Sequence, residues 1–270
     1  MQIQDKNIPN TLVKLGGSLI TDKNVEASYR KKTMERISSE IREAYQGHLY
    51  GRLILGHGSG SFGHFEAKRH DTINGVNTSD DWLGFCKVGA VASKLNQLVI
   101  EDLIDKHIPV YSIRPSSLSL ADSGEIVEMN LNNMKLALRK GLIPLVHGDV
   151  SFDKKLGGTI VSTETIFKHL ARYLFISRII LVGTVDGVFD LDKNLFPKIT
   201  TVNFPRIRQA LGGSDGTDVT GGMLTKVEDM LHLAQSHKNL TIQIINGNQI
   251  GLLRDVLLNT AISAGTTISA

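Results

Sequence analysis

Six short apolar runs recur along the chain, at Thr11–Leu15, Arg52–Gly56, Ile108–Ile113, Leu142–His147, Arg178–Val182 and Thr241–Ile245. Longer helical patterns separate them, and this alternation restricts the fold more than any other feature. Each run is bounded by Gly, Pro or polar residues, as buried strands are. Tyr29–Gln46 carries Met34, Ile37, Ile41 and Ala44 at three- and four-residue spacing, and Trp82–Ile104 carries Leu83, Val88, Val91, Leu95, Leu98 and Leu103 in a comparable stripe. Asn130–Arg139, Glu164–Leu174, Gly222–Ser236 and Gln249–Leu258 complete the series. Strand, helix, strand in this order predicts an α/β fold: a mostly parallel central sheet, helices on both faces, and ligands bound beyond the carboxyl ends of the strands. The polar Asp-Lys-Lys turn and Gly157-Gly158 within Ser151–Val161 predict a hairpin before the second half. The boundary between two lobes, countable together as one domain, is expected at 161/162.

With 41% apolar and 21% charged residues, the 270-residue chain is long enough to bury a sizeable core. A net charge of +3 is too small for a sequence-independent grip on nucleic acid, so no nucleic-acid partner is expected and any anion must be met at a local site. No apolar run reaches membrane-spanning length, and the first ten residues, MQIQDKNIPN, lack the apolar stretch of a signal peptide. A cytoplasmic setting without membrane association is expected. The one cysteine, Cys86, cannot form an internal disulfide or a cysteine metal site, and its apolar neighbours predict a place in the core. The 26 glycines, against only six prolines, cluster after apolar runs, where backbone must approach something closely.

The segment after the first run, KLGGSLITDK, sets Lys14 before Gly16, Gly17 and Ser18, with Lys23 nine residues on. Such glycines free N–H groups to cradle phosphate oxygens, and lysine adds positive charge; a tight turn with two solvated lysines explains the pattern equally well. After the second run, HGSGSFGH interleaves Gly58, Gly60 and Gly63 with His57, Ser59, Ser61 and His64, several backbone donors and two histidines in one loop expected to meet a ligand. It is neither a P-loop nor a dinucleotide fingerprint. His48, His70, His107, His169, His232 and His237 lack such a setting and are expected at the surface or in the core. Ser162 or Thr163 fits a helix N-cap and Glu164 a first-turn acid; alternatively Glu164 reaches between Lys14 and Lys226. Lys226 stands one turn into a helix opened by Thr220-Gly221-Gly222, where a cation is unfavourable unless an anion binds beside it.

KLGGSLITDK, HGSGSFGH, HGDVSFD, VDGVF and DVTGGMLTK follow one another in an order and spacing similar to the amino-acid-kinase superfamily, and HGSGSFGH most resembles the isopentenyl phosphate kinases. The resemblance runs over nearly the whole chain. It implies a three-layer sandwich, an acceptor-binding first lobe (1–161) and a nucleotide-binding second lobe (162–270), commonly as a homodimer. It further implies that Lys14, Gly16, Gly17 and Ser18 contact ATP phosphates, that Lys23 stabilises the transferring phosphoryl group, and that Ser59 and Gly60 present N–H groups to phosphates. His64 would bond the acceptor phosphate and Thr163 lie beside it; Glu164 would organise the lysines. Thr184, Asp186 and Phe189 would line the nucleotide pocket, with Gly222 and Lys226 on the outer phosphates. Three positions depart from the family pattern: Ser162-Thr163-Glu164 for Ser-Gly-Asp, Thr184 for aspartate, and Ser59 for glycine or alanine.

The implied reaction moves the γ-phosphoryl of ATP, with Mg²⁺, onto isopentenyl phosphate. A phosphate monoester is already anionic, so no general base is needed, and no protein metal ligands are expected. Two unit charges 4 Å apart at a dielectric of about 20 repel by roughly 4 kcal/mol, a cost that lysines and N–H groups offset. The hydrocarbon tail would need an apolar slot, for which Trp82, Phe85, Cys86 and Val88, with Ile160, are candidate walls or else ordinary core. A fosfomycin-type phosphonate kinase and a non-catalytic nucleotide sensor on the same fold are the competing readings.

Overall fold

The computed structural model describes residues 8–47, 51–211 and 222–270. Among them the strands are β1 (Asn10–Leu15), β2 (Arg52–His57), β3 (Val110–Ser112), β4 (Ser119–Asp122), β5 (Glu125–Met129), β6 (Ile143–His147), β7 (Asp149–Asp153), β8 (Gly157–Val161), β9 (Ile176–Gly183), β10 (Lys198–Ile199), β11 (Thr241–Asn246) and β12 (Thr266–Ile268). The helices are α1 (Gly17–Ile20), α2 (Lys31–Gln46), α3 (Gly60–His70), α4 (Ser79–Asp105), α5 (Asn132–Arg139), α6 (Thr163–Tyr173), α7 (Phe204–Leu211), α8 (Met223–Ser236) and α9 (Leu252–Leu258). One sheet runs β10-β12-β11-β9-β1-β2-β6-β3, parallel throughout except where β12 runs against β11. A second sheet, β5-β4-β7-β8, contains the expected hairpin as β7 and β8.

Strand side chains alternate between faces, and the two faces bury different helices. Leu12, Ile54, Ile179 and Ile242 point to a core shared with α5, α6, α7 and α8. Val13, Leu55, Ile180 and Ile245 point to one shared with α2, α4 and α9. This is the three-layer sandwich. The sheet is continuous from β3 to β10, so the 161/162 boundary crosses no break in it.

The α2 stripe of Met34, Ile37, Ile41 and Ala44 is wholly buried. On α4 the buried face is instead Phe85, Val88, Ala92, Leu95, Asn96, Val99, Asp102 and Leu103, leaving Leu83 56% exposed. Cys86 is exposed, contrary to the core placement expected for it, because it stands one residue off that face. HGSGSFGH is not a loop throughout: only Gly58 and Ser59 intervene between β2 and α3, so the glycines largely form the first turns of a helix. His48 and the Thr220-Gly221 pair lie outside the described residues.

Candidate active site

Segments following β1, β2 and β9 meet β11 and the start of α8 around a cleft of about 420 Å³. Its lining includes Lys14, Gly16, Gly17, Ser18, Lys23, Gly58, Ser59, Gly60, His64, Glu164, Gly222 and Lys226. The two glycine turns touch directly. A Cβ on Gly17 would lie 2.7 Å from both the Cα and the nitrogen of Gly60, while a Cβ on Gly60, at φ +51°, would lie 2.3 Å from Thr21 Oγ1. Side chains at either position would wedge the turns apart. The Thr21 hydroxyl also accepts from Ser61 N–H at 2.9 Å, tying the two turns together.

Lys14 owes its place to strand parity: like Leu12 it faces α6 and α8, and there its ammonium pairs with the Glu164 carboxylate. Burial pushes the Lys14 ammonium down and the neighbouring Glu164 only partly restores it, while Lys226 depresses it further. Burial also works against charge on Glu164, but Lys14 and then Lys226 hold its carboxyl below the ordinary range. The acid is thus ionised between two cations. Ser162 is the N-cap of α6, its Oγ accepting from Thr165 N–H at 3.0 Å, which fixes the first turn that carries Glu164.

His64 follows Gly60 by one turn of α3 and faces the same cleft. Burial, then Lys23 and Lys14, depress its pKa, which favours the neutral imidazole. Lys23 is exposed on a segment held to α3, where Ser28 N–H donates to Ser61 Oγ at 3.2 Å, and to α4, where Tyr29 donates to Asp102. The Ser59 departure has a steric counterpart: a Cβ on Gly63 would fall 2.4 Å from Ser59 Oγ, so Gly63 leaves the space that the serine fills.

Four expected positions stand outside the lining. Thr163 is buried, and its hydroxyl donates to the His57 carbonyl at 2.7 Å, making it a strut between β2 and α6. Asp186 Oδ1 accepts from Asn246 at 2.9 Å and Gln249 at 2.7 Å, which bind the β9 and β11 ends together. Thr184 does not itself line the cleft although its neighbours Gly183 and Val185 do, and Phe189 is paired with Leu195. Val185, Met223 and Ile244 supply apolar lining that the sequence reading missed, although Val185 stands between Thr184 and Asp186 and Met223 follows Gly222, all positions already singled out. His57, expected to meet ligand, is fully buried under its loop. Trp82, Phe85 and Phe152 form an aromatic cluster with Val88 and Ile160, without Cys86.

Residues 10–246 match the Amino acid kinase family over most of the chain. The chain belongs to this family. Within it, the chain is 34% identical over 227 residues to an isopentenyl phosphate kinase of Methanocaldococcus jannaschii, covering 81% of this chain and 85% of that protein. It is 31% identical over 268 residues to one from Methanothermobacter thermautotrophicus, covering 96% and 98%. Among solved structures, "X-ray structures of isopentenyl phosphate kinase" superposes with a TM-score of 0.82 at 28% identity, covering 96% of this chain and all of that one. The amino acid kinase fold is therefore established here, and the isopentenyl phosphate kinases are the branch it falls in.

Proposed function

We infer that this chain is a phosphotransferase that moves the γ-phosphoryl group of ATP onto the phosphate of isopentenyl phosphate, giving isopentenyl diphosphate and ADP. The observation that carries the reading is the cleft: two backbone-to-backbone glycine turns ringed by Lys14, Lys23, His64 and Lys226, with one ionised carboxylate among them. That arrangement neutralises the equatorial oxygens of an in-line transfer and offers no general base, which a monoester does not need. In this proposal Lys14, Gly16, Gly17, Ser18, Gly222 and Lys226 hold the nucleotide phosphates. Ser59, Gly60 and His64 hold the acceptor, Lys23 stabilises the moving group, and Glu164 sets the two flanking lysines. Residues 1–161 form the acceptor lobe and 162–270 the nucleotide lobe.

No cluster of three or more His, Cys, Asp or Glu side chains suited to a metal gathers among the described residues. Mg²⁺ fits this donor set as an ion carried on the nucleotide's phosphates and waters, where it adds positive charge. A homodimer in the cytoplasm belongs to the same proposal; among the described residues no helix is long and apolar enough to cross a membrane. The test is ADP release over a panel of isopentenyl phosphate, dimethylallyl phosphate, fosfomycin, UMP, glutamate and aspartate. Turnover with isopentenyl phosphate above the others is expected; preference for fosfomycin, or no turnover at all, overturns the reading. His64→Ala should raise the acceptor KM at least tenfold more than the ATP KM, roughly the loss of a charge-assisted hydrogen bond.

A further inference from the structure

His57 ends β2, His147 ends β6, and the two are register partners on adjacent parallel strands. By strand parity both point toward α4, on the face opposite Lys14, and both are wholly buried. Their rings stack at 5.4 Å with planes 10° apart. The phosphoryl-transfer chemistry uses neither side chain.

His57 Nδ1 lies 3.0 Å from the Gly58 carbonyl oxygen, and Nε2 lies 3.1 Å from Asn96 Oδ1, whose amide nitrogen donates to Ser112 Oγ at 2.9 Å. A carbonyl oxygen only accepts, so Nδ1 carries the hydrogen. A neutral ring then needs a donor at Nε2. Asn96 supplies it when its amide is turned, the Ser112 hydroxyl donating in turn to the amide oxygen. The surroundings select this neutral form. Burial, with Lys14 adding to it, disfavours the imidazolium of His57 more than the Gly58 and Asn96 hydrogen bonds favour it, and burial, His57 and Arg114 disfavour that of His147. The nearest acid, Asp149, lies 3.6 Å from His147 Nε2, beyond hydrogen-bond reach. Its oxygens accept instead from Ser116 and Val150 N–H, and burial raises its pKa.

The consequence falls on the turn above. In a trans peptide the C=O and the following N–H point in opposite directions, so drawing the Gly58 carbonyl onto the imidazole turns the Ser59 N–H away from it. The His57 carbonyl accepts the Gly148 N–H at 3.0 Å and the Thr163 hydroxyl, fastening β6 and the start of α6 to this point. Gly148, whose absent Cβ would sit 3.7 Å from Ser59 N, leaves that side open.

We propose that His57 is a positioning residue: neutral, protonated on Nδ1 and stacked on His147, it fixes the Gly58–Ser59 peptide so that the Ser59 and Gly60 N–H groups face the acceptor phosphate. The identity of that acceptor rests on the function inferred above; the tautomer does not. Two-bond ¹H–¹⁵N correlation spectra of histidine-labelled wild-type protein, with His57 assigned, should show a neutral Nδ1–H ring from about pH 7.5 down to about pH 5.5, a pH at which a free imidazole is mostly charged. An Nε2–H tautomer, or an imidazolium within that range, overturns the proposal. In the kinase assay His57→Leu should raise the acceptor KM about tenfold and leave the ATP KM within about twofold, and His57→Asn, whose amide reaches the same carbonyl, should recover most of it. Equal losses in the two variants, with both folded by thermal melting, also overturn it. If wild-type enzyme fails to turn over isopentenyl phosphate, the function is wrong while the spectra still decide the tautomer.

Discussion

Beneath the cleft the central sheet buries polar groups on both faces and does so in opposite ways. On the α6 and α8 face the Lys14 ammonium pairs with the Glu164 carboxylate, whose pKa Lys14 and then Lys226 hold down against its burial. On the α4 face His57, His147 and Asn96 hold no charge, and His147 has no hydrogen-bond partner on either ring nitrogen. A buried charge is stable only with its counter-charge, whereas a neutral ring needs only packing and at most one or two hydrogen bonds. In the function proposed above, the charged face meets the phosphates and the neutral face holds the backbone that receives them.

Removing one member of the charged set should do the most damage. Glu164→Gln leaves Lys14 buried without a counter-charge, so kcat is expected to fall about a thousandfold and stability by about 3 kcal/mol, read by steady-state kinetics and thermal melting. Wild-type stability in that variant would show that the two faces do not differ as described. Lys23→Ala separates chemistry from stability, because this lysine is exposed. A drop of about a hundredfold in kcat with an unchanged melting temperature is expected, and normal turnover removes Lys23 from the transfer step.

Gly17→Ala probes the contact that joins the two faces' turns. Its added methyl collides with Gly60 backbone and should cost about 2 kcal/mol in a urea titration, raising both KM values together. The mildest effect is expected on the neutral face. His147 has a depressed folded pKa, so its contribution to stability is present above the unfolded value near 6.5 and lost as pH falls below it. Unfolding free energy, from urea titrations, should therefore decrease from about pH 7.5 to about pH 5.5, by at most about 1.4 kcal/mol per pH unit for this residue, and His147→Phe should flatten that slope while kcat stays within about threefold. An unchanged slope would mean that His147 is already charged in the fold.

Much of this was legible before any coordinates. The six apolar runs all became strands of the large sheet, and the parity that aims Lys14 at α6 is a property of alternation alone. The β4–β5 hairpin was missed although Ser123-Gly124, both at positive φ, is the kind of two-residue turn that joins antiparallel strands. The glycines and serines of α3, weak helix formers, favour a loop locally; packing against Thr21 and α4 overrides that preference. Asn96 and Asp102 carried a readable signal, since each interrupts an otherwise apolar helix face and must find a partner there, His57 in one case and Tyr29 in the other. The contact of Lys14 with Glu164 was weighed as one of two readings, because joining β1 to α6 depends on strand order, which local pattern does not encode.

The meeting of Gly17 with Gly60 leaves no flexible atoms between the segment assigned to the nucleotide and the segment assigned to its acceptor. Strain in one is handed to the other without a cushion. A larger residue at Gly17 demands a retreat of the Gly60 main chain, and one at Gly60 must displace first the Thr21 side chain and then the Gly17 carbonyl.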